Sequence, residues 1–147
     1  MTSHSILIVD DDEQLRTLLR RALEEAGYLV SEAPNGQDGL RQFRQTPTAL
    51  VITDLLMPDM DGLEVTMALR RESPTVKIIV ITGGSGRRDY LDIAKRLGAH
   101  RTMTKPVAIA DLLRRQARTG GPMNLGNGKP ESETTRIRVA AYSRSNR

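Results

Sequence analysis

Asp10, Asp11, Asp54, Thr82 and Lys105 are the residues of this 147-residue chain whose types and surroundings could do chemistry together. Each stands just after a candidate strand, and all but Lys105 follow a short unbroken apolar run. Asp10, Asp11 and Asp12 follow Ile6-Leu7-Ile8-Val9, and Thr53 and Asp54 follow Ala49-Leu50-Val51-Ile52. Thr82, Gly83 and Gly84 follow Ile78-Ile79-Val80-Ile81, and Thr104, Lys105 and Pro106 follow Arg101-Thr102-Met103. Crowded carboxylates repel one another, so a cation must sit among them. Hard oxygen ligands at short range suit Mg²⁺, which keeps several waters and needs few protein ligands. A carboxylate can itself act as a nucleophile and form an aspartyl phosphate. Phosphoryl transfer is mostly positioning and charge stabilisation. In such a site Lys105 would serve one phosphoryl oxygen as a point charge, and the Thr82 hydroxyl would donate to another. Gly83 would leave the approach to Asp54 open.

These residues share a site only if the apolar runs are strands that end side by side. Runs apolar on both faces are expected in the middle of a parallel sheet covered by helices. Tyr28-Leu29-Val30 and Arg101-Thr102-Met103 are weaker and read as outer strands. Amphipathic stretches lie between. Leu15, Leu18, Leu19, Ala22, Leu23 and Ala26 repeat at helical spacing, and Gly27 ends that helix. Leu40 and Phe43 mark a second helix. Val65, Ala68 and Leu69 mark a third, with Asp61 as N-cap and Pro74 beyond its end. Ile93, Ala94 and Leu97 mark a fourth, stopped by Gly98. Ile109, Leu112 and Leu113 mark a fifth, running to about Arg118. Five alternating β–α units imply an α/β fold, a doubly wound parallel sheet with right-handed crossovers. Its ligand site belongs at the carboxyl ends of the strands.

Composition removes several alternatives. There is no cysteine, which excludes thiol chemistry, disulfides and thiolate zinc sites and fits the cytosol. No apolar run approaches the roughly 18 residues that span a bilayer. Met1 to Ser5 has no cationic region leading into an apolar stretch, so no secretory signal is expected. Residues 1–119 carry 17 Lys/Arg against 16 Asp/Glu, and residues 120–147 carry 5 against 2. The basic excess therefore belongs mostly to the end of the chain. There Gly120-Gly121-Pro122, Gly126-Asn127-Gly128 and Lys129-Pro130 are linker composition, and Ile137 to Tyr142 is a candidate short strand or turn in a segment expected to be disordered. Arg136, Arg138, Arg144 and Arg147 read as a solvated extension, with weak binding to nucleic acid or anionic lipid as the alternative. Gly83-Gly84-Ser85-Gly86 is not a dinucleotide fingerprint, because Asp89 stands where the third glycine belongs, and it lacks the Gly-Lys end of a P-loop. Asp12 reads as a helix cap, and Met57, Met60 and Met67 read as packing residues. His4 and His100 lie away from the expected crevice.

The ordered set resembles the receiver domain of bacterial two-component systems over about Ser5 to Arg118. The pieces that carry the resemblance are Ile6-Leu7-Ile8-Val9-Asp10-Asp11, Asp54-Leu55-Leu56-Met57-Pro58-Asp59-Met60-Asp61-Gly62, Thr82-Gly83 and Lys105-Pro106. The resemblance implies a flavodoxin-like sheet of strand order 2-1-3-4-5, with a receiver domain over 1–119 and a tail over 120–147. It implies a single-domain, chemotaxis-regulator-like signalling switch in the cytoplasm, an enzyme only toward its own aspartyl phosphorylation and dephosphorylation. Asp54 would accept a phosphoryl group from a sensor histidine kinase or phosphotransfer protein. Asp10, Asp11 and Asp54, with the Leu56 carbonyl, would hold Mg²⁺. Lys105 would pair with Asp54 or its phosphoryl group, Thr82 would move inward, and the Lys105–Pro106 bond would be cis. A downstream protein would read the face of helix four, strand five and helix five; neither nucleic acid nor membrane insertion is expected. One position departs from the family: many members carry an aromatic residue three positions before the lysine, where this chain has Thr102. That departure motivates an alternative, a phosphorylation-independent interaction module. A third reading, tail-mediated DNA binding, rests on the basic tail alone.

Overall fold

The computed structural model describes residues 4–83 and 88–118. The tail 120–147, its candidate strand at Ile137 to Tyr142, and Gly84, Ser85 and Gly86 lie outside the described residues. In chain order the elements are β1 (Ser5–Val9), α1 (Glu13–Glu25), β2 (Leu29–Ala33), α2 (Gly36–Gln45), β3 (Leu50–Asp54), α3 (Gly62–Glu72), β4 (Lys77–Thr82), α4 (Arg88–Arg96), β5 (Arg101–Thr104) and α5 (Ile109–Arg118). The strands form one five-stranded sheet of order β2-β1-β3-β4-β5. Every pairing is parallel.

The unbroken apolar runs now have a cause. Alternate residues of a strand face opposite sides of the sheet, and here both sides are covered. Ile6, Ile8, Ile52, Ile79 and Ile81 pack with Leu15, Leu19 and Leu23 of α1 and Ile109 and Leu112 of α5. Leu7, Val9, Val51, Ile78 and Val80 pack with Leu40 and Phe43 of α2, Val65 and Leu69 of α3 and Ala94 of α4. The register aligns Val9 with Thr53 and Asp54 with Ile81, so neighbouring central strands end at nearly the same level.

Helix starts follow the local chemistry. The Asp12 carboxylate accepts from the backbone N–H groups of Gln14 and Leu15, and Asp61 accepts from Glu64. Asn35 caps α2 in the same way, a cap the sequence reading did not single out. Gly27 follows α1 with φ 97°, a left-handed conformation that glycine adopts without a Cβ penalty.

Several expectations need correction. β2 starts one residue after Tyr28 and continues to Ala33, and β3 starts at Leu50 rather than Ala49 and runs through Asp54. Met67 is 45% exposed and Ile93 is 41% exposed, so neither is a core residue. Ala94 buries the inner face of α4 in place of Ile93. Met57 and Met60 do pack into the core on the α2–α3 side.

Candidate functional site

Four strand ends build the site. β1 delivers Asp10 and Asp11, β3 ends in Asp54, β4 ends in Thr82, and Lys105 follows β5. Carboxylate oxygens of Asp10, Asp11 and Asp54 all lie within 4.8 Å of one another. Asp10 and Asp54 are buried, whereas Asp11 is exposed. The Lys105 ammonium bridges the two buried acids, with Nζ 3.5 Å from Asp54 Oδ1 and 3.6 Å from Asp10 Oδ2. Both distances are those of ion pairs looser than a good hydrogen bond.

Backbone bonds fix these positions. Asp12 N–H donates to Asp10 Oδ1 at 2.9 Å, and Arg16 Nη1 donates to the Asp10 carbonyl at 2.6 Å. Leu55 N–H donates to the Ile81 carbonyl and Lys105 N–H to the Thr82 carbonyl, each at 2.7 Å. The Lys105–Pro106 bond is cis, as expected. Gly62 stands against the nucleophile candidate's own backbone: a Cβ there would lie 2.4 Å from the Asp54 carbonyl oxygen. Neither Gly62 nor Arg16 stands among the site residues expected from the sequence. A glycine directly after a helix cap is the only sequence signal for the first. Arg16 carries none, because an arginine one turn into an amphipathic helix usually faces water.

Electrostatics show that the site is short of positive charge. Burial, and then the charge of Asp54, raise the Asp10 carboxyl from its ordinary 3.8 to about 7, against the opposing pull of Lys105. Burial also raises Asp54, with Lys105 the main opposing influence. One lysine therefore does not compensate three carboxylates. A hard divalent cation fits that donor set in charge and ligand type. The Thr82 hydroxyl is fully buried and has no hydrogen-bond partner among the described residues. Such a group is costly to leave unsatisfied, and it stands at the strand end where an incoming acceptor would lie.

The Leu56 side chain is 44% exposed beside the site. A Cβ on Gly83 would meet only Lys105 Cδ, at 3.5 Å, an ordinary contact. Thr102 lies on β5, outside the carboxylate cluster. His100 sits at the opposite end of the sheet, where its Nδ1 accepts from Ile78 N–H.

A parallel α/β sheet with an anionic crevice at its strand ends is a doubly wound ligand-binding architecture. The sequence model of the response regulator receiver domain matches residues 6–117, and the chain belongs to that family, the receiver domains of two-component response regulators. The response regulator receiver protein CpdR of Brucella abortus is 40% identical over 78 residues, which are 53% of this chain and 65% of that protein. The TorCAD operon transcriptional regulatory protein TorR of Escherichia coli O157:H7 is 34% identical over 141 residues, 95% of this chain and 60% of that protein. The chain thus spans less than two thirds of either relative. Among solved structures, the chemotaxis protein CheY4 of Vibrio cholerae superposes with a TM-score of 0.73 at 27% identity, covering 79% of this chain and 98% of that one. A receiver domain protein of Clostridium thermocellum gives 0.75 at 29% identity, covering 78% and 92%.

Proposed function

We propose that Asp54 is the phosphoacceptor of a Mg²⁺-dependent signalling switch. The observation that carries this reading is one ammonium spanning two buried carboxylates, beside a third acid and an unpartnered buried hydroxyl. Asp10, Asp11, Asp54 and the Leu56 carbonyl are the proposed metal ligands. Bound Mg²⁺ would supply charge neutralisation to the carboxylates and to the transferring group. The donor is a phosphohistidine on a sensor kinase or phosphotransfer protein. An Asp54 carboxylate oxygen attacks its phosphorus and the O–P bond forms. The P–N bond breaks, and its electron pair stays on the imidazole nitrogen. Lys105 then faces a phosphoryl oxygen, and the Thr82 hydroxyl donates to another. That new hydrogen bond favours one of two arrangements of the β4 end, which shifts a pre-existing equilibrium.

The change is read by a protein partner at the face of α4, β5 and α5, in the cytoplasm. No helix among the described residues is long and apolar enough to cross a membrane. The test is a Phos-tag gel after acetyl phosphate and Mg²⁺. A retarded band that disappears in Asp54→Asn and in the presence of EDTA is expected. No retarded band from folded protein, or one that persists in Asp54→Asn, would overturn the reading.

A further inference from the structure

The Asp10 carbonyl belongs to the peptide that joins two of the proposed metal ligands. β1 ends at Val9, and its register with β2 and with β3 stops there. Asp10 N–H still reaches β2, donating to the Ala33 carbonyl at 3.2 Å. The Asp10 carbonyl is held by a side chain instead: Arg16 Nη1 of α1 donates to it at 2.6 Å. A peptide unit is planar from one Cα to the next. Whatever fixes that carbonyl therefore fixes how the chain leaves Asp10 and enters Asp11. The relative aim of the two carboxylates follows from it.

Arg16 is itself held in place. Its side chain is only 11% exposed, and its Nε lies 3.3 Å from Glu32 Oε1 of β2. The other Glu32 oxygen accepts from Arg20 Nη1 at 3.3 Å, and Arg20 Nε donates to Glu24 at 2.8 Å. Glu32 directly precedes Ala33, so the end of β2 grips Asp10 twice. One grip is the backbone bond to Ala33; the other runs from Glu32 through Arg16. A guanidinium presents its donors in a rigid fork, which lets one side chain serve a carboxylate and a carbonyl together. After burial, the groups that shift the Asp10 carboxyl are Asp54, Lys105, Asp12 N–H and Asp11. Arg16 is not among them, and its contact is with the backbone. A fixed positive charge beside a cation site opposes the cation by Coulomb repulsion. What Arg16 can add to metal binding is therefore position.

We propose that Arg16, oriented by Glu32, is a positioning residue for Mg²⁺. It locks the Asp10–Asp11 peptide so that both carboxylates face the metal before the metal arrives. This inference rests on the reading of Asp10 and Asp11 as ligands, and it assigns their preorganisation to a pair of residues that touch neither metal nor phosphoryl group. Groups that orient a ligand typically change metal affinity by about 10–100-fold when they are removed. Charge and position predict opposite signs here. Losing a nearby cation would tighten Mg²⁺ binding, whereas losing the lock weakens it.

The test uses the full chain, wild type and Arg16→Met, titrated with Mg²⁺ in a calorimeter after circular dichroism has shown both to be folded. Methionine keeps an apolar stem and removes the charge and the donors. The dissociation constant for Mg²⁺ should rise about tenfold. In metal-free protein the Asp12 amide, which donates to Asp10 Oδ1, should exchange with solvent faster in the variant. Unchanged or tighter Mg²⁺ binding in Arg16→Met overturns the proposal. Glu32→Gln should weaken binding in the wild-type background and add little in Arg16→Met; additive effects overturn the part given to Glu32. Should Arg16→Met fail to fold, Arg16→Lys takes its place. It keeps the charge and loses the fork, so a smaller rise is expected, and affinity and Asp12 exchange both equal to wild type overturn the proposal. A folded wild-type chain that takes up no Mg²⁺ is a different failure. It sinks the metal-site reading itself and this inference with it.

Discussion

At the scale of residues, the site is a set of charges held in a state they would not choose alone. Asp10 is buried beside Asp54 and holds its proton to about pH 7 when no metal is present. The unfolded chain has lost that proton well below this, near the ordinary carboxylate value. Between those values the native state binds the extra proton, so stability falls as pH rises through the window. Thermal melts followed by circular dichroism in EDTA should give a lower midpoint at about pH 8 than at about pH 6. Added Mg²⁺ should remove most of the difference; a midpoint that rises with pH in EDTA would contradict this assignment of charge. Asp10→Asn keeps an acceptor for Asp12 N–H and removes the charge. It should stabilise the metal-free protein by roughly 1–2 kcal/mol in urea titrations while weakening Mg²⁺ binding. Destabilisation with unchanged magnesium affinity would show that the carboxylate is structural.

At the scale of elements, close packing against the site decides which small residues are replaceable. A Cβ on Gly62 would press into the Asp54 carbonyl, whereas a Cβ on Gly83 meets a flexible lysine stem. Gly62→Ala should cost about 1–3 kcal/mol through forced displacement of the β3 end, and slow Asp54 modification with it. Gly83→Ala should stay within about 0.5 kcal/mol. Urea unfolding of the two variants tests the contrast, and equal losses would contradict it. Asp12→Ala removes the α1 cap and should cost about 1 kcal/mol. Much of this was legible in the sequence. Ile78-Ile79-Val80-Ile81 announces a strand buried on both faces, and Asp12 and Asp61 announce their helices. What escaped depends on facts no local pattern carries. Ile93 fits helical periodicity but faces solvent, because α4 reaches the sheet through Ala94. Gly62 matters because of an approach between β3 and α3, and Arg16 because its guanidinium reaches back to the Asp10 carbonyl.

For the molecule as a whole, the central claim is that the sheet gathers four separated chain segments into a pocket that accepts a metal and a phosphoryl group. Parallel order and shared strand ends bring Asp10, Asp54, Thr82 and Lys105 together from distant parts of the sequence. A ligand that binds only the folded state stabilises it by mass action, so Mg²⁺ at a hundred times its dissociation constant should add about 2.7 kcal/mol. Urea titration with and without the metal measures that, and no gain at saturating magnesium would count against the site. The most direct test is chemical. Chain incubated with acetyl phosphate and Mg²⁺ is reduced with borohydride, which converts an aspartyl phosphate to homoserine, and its peptides are mapped by mass spectrometry. Homoserine at position 54 and at no other aspartate is predicted. Modification at another aspartate, or none in protein shown to be folded, would contradict the account.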